Sequence, residues 1–233
     1  MVRPGQTRGI FIAFEGPEGA GKSTQVARLA AALRDGDRDV VVTREPGGTA
    51  VGEGIRTVLL DRARGSEVAP WTDALLFNAA RAALVREVIH PALERGAIVL
   101  CDRFADSTLA YQGYGSGLPI TALREVERFA TGGLRPDLVI VLDVPVELGL
   151  GRKGDEQTRF ETAFDLAFHR RVRDGFLALA RDEPERYVVL DATSPADAVA
   201  AAVLAAVERL GLPIEAEGGA AGEPTVPVVR TRG

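Results

Sequence analysis

The stretch Gly16-Pro17-Glu18-Gly19-Ala20-Gly21-Lys22-Ser23, followed by Thr24, lies between the apolar run "GIFIAF" and a segment of helical period. Its spacing fits G-x-x-x-x-G-K-[ST]. In that pattern glycines let successive backbone N–H groups turn inward around an anion, the following helix adds its positive N-terminus, and the lysine brings a compact charge to the β- and γ-phosphates. Ser23 offers a hydroxyl to Mg²⁺. The bland alternative is a glycine-rich turn that binds nothing. Against it, Lys22 and Lys153 are the only lysines among 28 cationic side chains. A nucleoside triphosphate is therefore the expected ligand, which still admits a hydrolase, a motor, a switch or a kinase.

A second group of residues suggests an acceptor. Asp102 and Arg103 end the run "AIVLCDR", where the carboxylate can hold Mg²⁺ or cap a helix and the guanidinium can grip a phosphate bidentately. Arg44 follows "DVVVT" and Arg56 lies two turns into the next helical segment, so Arg44, Arg56 and Arg103 can converge on one anion from three places. Phe77 and Arg81 stand four apart on one helix face, fit either for stacking a planar base and holding its edge or for core packing beside a solvated charge. Arg152, Lys153 and Arg159, interspersed with Gly149, Gly151 and Gly154, suit a lid over phosphates or a solvated helix face.

Short β-branched runs must position these groups: 9–14, 39–43, 97–102, 138–144 and 186–191 are nearly continuous in apolar residues, as a parallel sheet covered on both faces requires. Helical segments are predicted over 22–34, 50–60, 72–94, 119–131, 146–152, 159–181 and 195–210. The alternation predicts ligands at the carboxyl ends of the strands, where the phosphate-loop residues, Arg44, Asp102 and Arg103 fall. With 233 residues, 46% hydrophobic and 26% charged, the chain can bury one core, predicted as a single domain over 1–213 with a Gly- and Pro-rich flexible tail over 214–233. A net charge of −5 argues against nucleic acid as the main partner. No apolar run reaches the roughly 18 residues of a membrane span, and the cytoplasm is the expected compartment. Cys101, the single cysteine, is expected to be a buried hydrophobe.

Together, "FEGPEGAGKST", "TREPGGT", "LLFNAAR", "DRFADSTLAYQGYG", "PDLVIVLDVP" and "FHRRVRDGF" resemble, in order and spacing, the bacterial thymidylate kinases, over about residues 10–210. The resemblance implies a P-loop kinase fold: a three-layer α/β/α sandwich on a five-stranded parallel sheet of order 2-3-1-4-5, with a short lid over about 149–160. It implies a homodimer that transfers phosphate from ATP, with Mg²⁺, to dTMP. By the same resemblance, Gly16 through Thr24 hold ATP, and Ser23 and Asp102 hold the metal. Phe77 stacks on thymine and Arg81 meets the base edge, with Ser107, Thr108 and Gln112 nearby. Arg44, Arg56 and Arg103 hold the monophosphate, Glu45 is a further substrate-binding residue, and Glu18 and Tyr111 face the deoxyribose. Lys22, Asp102 and Arg103 are the implied catalytic groups. The P-loop has no arginine of its own, so the implied lid arginine is Arg159 first and Arg152 second. Phe104 and Thr158 stand where the family commonly has tyrosine and aspartate.

Overall fold

A computed structural model describes residues 8–61, 68–153 and 158–212. Its five strands are β1 (Ile10–Glu15), β2 (Val40–Arg44), β3 (Ile98–Asp102), β4 (Leu138–Asp143) and β5 (Tyr187–Asp191). All pair in parallel, in the order β2-β3-β1-β4-β5. This is the topology that the sequence resemblance implied. β1 sits at the centre with Ile12 facing Leu100 of β3 on one side and Leu138 of β4 on the other.

Because successive side chains of a strand point to opposite faces, β1 feeds two cores. Ile12 and Phe14 pack with Val26, Leu29 and Leu33 of α1 (Lys22–Asp35) and with Val199, Val203 and Val207 of α10 (Ala196–Glu208). Phe11 and Ala13 pack on the other face with Leu84 of α3 (Pro70–Leu84) and with Ala92 and Leu93 of α4 (His90–Glu94). Cys101 is fully buried in this second core, as expected. A third cluster under β4 and β5 gathers Phe168, Val172, Phe176 and Leu179 of α9 (Leu166–Asp182). The remaining helices are α2 (Ala50–Leu60), α5 (Ala105–Thr108), α6 (Ile120–Thr131), α7 (Val146–Lys153) and α8 (Arg159–Ala163). Among the described residues, no helix is long and apolar enough to cross a membrane.

Three local features depart from the sequence expectation. The segment 72–94 runs unbroken from 70 to 94, but widens into a π-helical turn over Val85–Ile89. That turn ends two residues before Pro91, whose ring has no N–H to give and crowds the carbonyl four residues back, at Glu87 within the turn. The predicted helix over 159–181 is two helices, because the Asp165 carboxylate accepts from Phe168 N (2.8 Å) and starts α9 afresh. Finally, residues 105–115, expected only as a polar connection after a strand, are helical: α5 continues into a π-helical turn over Leu109–Gly115. The predicted tail over 214–233 and positions 154–157 of the predicted lid lie outside the described residues.

Candidate active site

The phosphate loop leaves β1 at Glu15 and enters α1 at Lys22. Gly19 has φ +67°, and a Cβ there would sit 1.9 Å from the Gly149 carbonyl oxygen of α7. The contact is reciprocal, since a Cβ on Gly149 would meet the Glu18 carbonyl oxygen at 2.2 Å. Gly149 is therefore a close-packing glycine that docks α7 on the loop. Lys22 is 7% exposed, and its Nζ donates to the carbonyls of Gly16 (3.1 Å) and Pro17 (2.8 Å). Burial and the nearby Arg103 push its ammonium down to about 8, against the pull of Glu18 and Asp102. Ser23 Oγ donates to Asp102 Oδ2 at 2.6 Å, placing a hydroxyl and a carboxylate oxygen side by side at the tip of β3.

Arg103 joins this loop to the other half of the site. Its backbone has φ +70°, a strained value for a residue with a Cβ. One guanidinium nitrogen donates to the Gly16 carbonyl (3.2 Å) and Ser107 Oγ (3.1 Å), the other to Glu18 Oε1 (2.8 Å) and the Tyr111 hydroxyl (3.2 Å). The Tyr111 hydroxyl in turn donates to Glu18 Oε1 at 2.7 Å. Burial alone would raise the Glu18 carboxyl, yet Arg103, Lys22 and Lys153 hold it down at about 2. Glu18 thus stands as a fixed anion between three cations, beside an aromatic hydroxyl.

A cavity of about 570 Å³ runs from the phosphate loop to this second half. Its loop end is lined by residues 18–24, Asp102, Arg152 and Lys153. Its far end is lined by Arg44, Glu45, Arg56, Phe77, Thr108 and Gln112, and Arg103, Ser107 and Tyr111 lie between. Arg56 is aimed by a bond to the Pro46 carbonyl (2.8 Å), while Arg44 lies against Glu53 (3.2 Å). Phe77 packs at an inclined 48° against Phe160, with ring centres 5.9 Å apart. Two buried oxygens at this end, Glu45 Oε1 and Gln112 Oε1, have no hydrogen-bond partner among the described residues.

Four of the predicted site residues do not line the cavity. Gly16 and Pro17 act through their carbonyls, as above. Arg81 is fully buried, bound to Glu45 Oε2 (2.8 Å), Asn78 Oδ1 (3.1 Å), the Phe104 carbonyl (3.2 Å) and Thr108 Oγ1 (3.0 Å). It organises Glu45 and Thr108, which do face the cavity. Arg159, the first choice as lid arginine, needs a correction. Its guanidinium is fully buried, donates to Asp73 Oδ1 (2.7 Å) and the Leu59 carbonyl (3.0 Å), and covers the Phe160 ring at 4.6 Å. The buried Asp73 carboxylate on α3 gives it a counter-charge away from the cavity, and it ties α8 to α2 and α3. Arg152 is the one of the two that lines the cavity, with bonds to the carbonyls of Ala192 (3.0 Å) and Gly19 (3.4 Å).

Two contributors escaped the sequence reading. Phe160 lines the cavity and leads a stack through Phe164 (5.8 Å) to Phe168 (4.0 Å), an aromatic spacing of four that is visible in the sequence. Glu15, fully buried, binds the backbone of residues 104 and 107. Its only sequence signal is an acid at the end of an apolar strand.

A family model described as thymidylate kinase matches residues 14–203. The thymidylate kinase of Deinococcus radiodurans is 55% identical over 207 residues, spanning 88% of this chain and 99% of its own. That of Thermomicrobium roseum is 58% identical over 203 residues, spanning 86% and 95%. The crystal structure of thymidylate kinase from Ehrlichia chaffeensis superposes with a TM-score of 0.65 at 35% identity, over 78% of this chain and 93% of the other. With its loop, strand order and sequence in agreement, the chain belongs to the thymidylate kinase family.

Proposed function

We propose that the protein transfers the γ-phosphoryl group of ATP to dTMP, giving ADP and dTDP. The observation that carries this reading is one continuous cavity with a phosphate loop at one end and an aromatic and arginine-lined recess at the other, bridged by Arg103. An NTPase that merely hydrolyses has no use for the recess.

The acceptor is a phosphate monoester with a second pKa near 6, so its attacking oxygen is already ionised at neutral pH and needs no general base. The protein's task is then to position and to stabilise charge. Phe77 offers its ring to the thymine, and the unpartnered Gln112 Oε1 accepts from the base N–H. Arg44, Arg56 and Arg103 hold the monophosphate. Glu18 and Tyr111, fixed by their mutual hydrogen bond, face the deoxyribose, Glu18 near the 3′-hydroxyl and Tyr111 where a ribose 2′-hydroxyl would intrude. Lys22 gives up its loop carbonyls for the β- and γ-phosphates, whose charge restores its full protonation. Arg152 is the lid arginine beside the travelling phosphoryl group, and Lys153 supports Glu18 (3.7 Å).

Mg²⁺ fits the donor set at the lip of the loop, where Ser23 Oγ and Asp102 Oδ2 are both hard oxygens. Among the described residues no group of three or more His, Cys, Asp or Glu forms a self-sufficient metal cage, in keeping with an ion shared with the nucleotide. When bound there it would neutralise charge on the β- and γ-phosphate oxygens. We also propose a cytoplasmic homodimer. The packed pair α2 and α3 presents Val51, Val58, Trp71 and Leu75 to solvent, four apolar side chains that a second copy would cover. Analytical ultracentrifugation tests this.

The activity is tested by following ADP release with dTMP, dUMP, dCMP or thymidine as acceptor. Preference for dTMP supports the reading. Phosphate release that is indifferent to acceptor would overturn it in favour of a switch or ATPase.

A further inference from the structure

Arg103 has a backbone conformation that a residue with a side chain adopts only under constraint, so something must hold it there. Its own N–H is taken by the Phe14 carbonyl (2.9 Å). The residues that follow are held by Glu15. Glu15 Oε1 accepts from the backbone N–H groups of Phe104 (2.8 Å) and Ser107 (3.2 Å), and Oε2 lies 2.6 Å from Ser107 Oγ. Ser107 Oγ also accepts from Arg103 at 3.1 Å, and the serine lines the cavity. A continuous chain therefore runs from the tip of β1 through one hydroxyl to the guanidinium that faces the acceptor.

We propose that Glu15 is a positioning residue for acceptor binding, and that the proton on its carboxyl group governs what Ser107 does. This rests on the reading of Arg103 as a ligand of the dTMP phosphate. When Glu15 is neutral, its O–H donates to Ser107 Oγ, and the serine's own proton is released to point into the cavity towards the phosphate. When Glu15 is ionised, it draws the serine proton back and adds a negative charge beside the incoming anion. Both changes weaken acceptor binding.

The surroundings favour the neutral form at neutral pH. Burial and the nearby Asp106 of α5 push the Glu15 carboxyl up to about 8, against the opposing pull of Arg103 and the bonds from Ser107 and Phe104. Lys22 of α1, Arg81 of α3 and Cys101 of β3 also face it electrostatically. Lys22 is the neighbour that titrates in the same pH range, at about 8.

Glu15→Gln separates these two groups, because the amide keeps an acceptor for both backbone N–H groups and donates permanently to Ser107 Oγ, as the neutral acid does. Wild-type KM for dTMP should rise up to about tenfold from pH 7 to pH 9, one unit past the midpoint, with kcat changing far less. In Glu15→Gln, KM should stay flat, so that at pH 9 the variant binds dTMP more tightly than the wild type. A purely structural role cannot produce that gain. Should Glu15→Gln fail to fold, Ser107→Ala must raise KM at pH 7 and shrink its alkaline rise to the part that comes from the Glu15 charge alone. A wild-type KM that is flat, a rise that persists in Glu15→Gln, or one that is undiminished in Ser107→Ala would overturn the proposal. Arg103→Ala is the control for the underlying reading: if it leaves KM for dTMP unchanged, the assignment of Arg103 fails independently of Glu15.

Discussion

Replacing Arg159 by alanine separates a structural arginine from a catalytic one. The guanidinium fills a fully buried position and holds the Asp73 carboxylate at 2.7 Å, with the Leu59 carbonyl on its other side. Removing it strands a carboxylate that is itself only 3% exposed. Breaking a buried pair by deleting one partner costs about 3–5 kcal/mol, because the remaining charge loses both solvent and counter-ion. For a domain of this size each kcal/mol lowers Tm by about 2–4 °C, so the expected fall is about 6–20 °C. The loss should also depend on pH. Burial already raises the Asp73 carboxyl, and the Arg159 hydrogen bond opposes it, so without the arginine it rises further. A carboxyl raised in the folded state contributes most below its unfolded value and loses that contribution as pH climbs, so the deficit should widen from pH 5 to pH 8. Arg152→Ala should behave in the opposite way. It removes an exposed side chain and should shift Tm by no more than a degree or two, while kcat falls on the order of 10²- to 10³-fold. Thermal unfolding by circular dichroism and steady-state ADP release measure both quantities on both variants. If Arg159→Ala instead unfolds at the wild-type temperature and loses kcat a hundredfold, its buried pairing is not what holds it in the working enzyme, and the lid role returns to it.

Lys22→Ala should lower kcat at least on the order of 10³-fold, because it removes a charge contact to the transferring phosphoryl group; retention of a tenth of normal turnover sinks that role. Phe77→Ala should chiefly raise KM for dTMP, whereas a variant that unfolds early but keeps its KM would show that the ring serves only to pack against Phe160. The Glu18 carboxyl, held at about 2 against an ordinary 4.5, contributes about 3 kcal/mol of stability that is present above pH 4.5 and lost as pH falls through 2. Acid unfolding of Glu18→Gln should therefore show a shallower dependence between pH 5 and pH 2 than the wild type, and an identical slope would refute the assignment.

The sequence by itself determined the sheet and the phosphate loop. Both are encoded in adjacent residues: buried parallel strands need uninterrupted apolar runs, and an anion-binding turn needs glycines at fixed spacing before a helix. Strand order became legible only through family resemblance, since no local pattern tells β4 to pair with β1 rather than with β3. Tertiary structure alone decided where each arginine went. Arg81, Arg103, Arg152 and Arg159 are the same side chain, and what separates them is the oxygen each one reaches: Glu45 for the first, Glu18 for the second, the Ala192 carbonyl for the third and Asp73 for the last. Those oxygens lie between 36 and 86 residues away along the chain. The helix at 105 was hidden for the same reason, because the carboxyl group that receives its first N–H groups belongs to Glu15, 89 residues upstream of Phe104. A guanidinium goes to whichever carboxylate or carbonyl oxygen folding brings within reach, and that is a property of the folded chain rather than of any stretch of it.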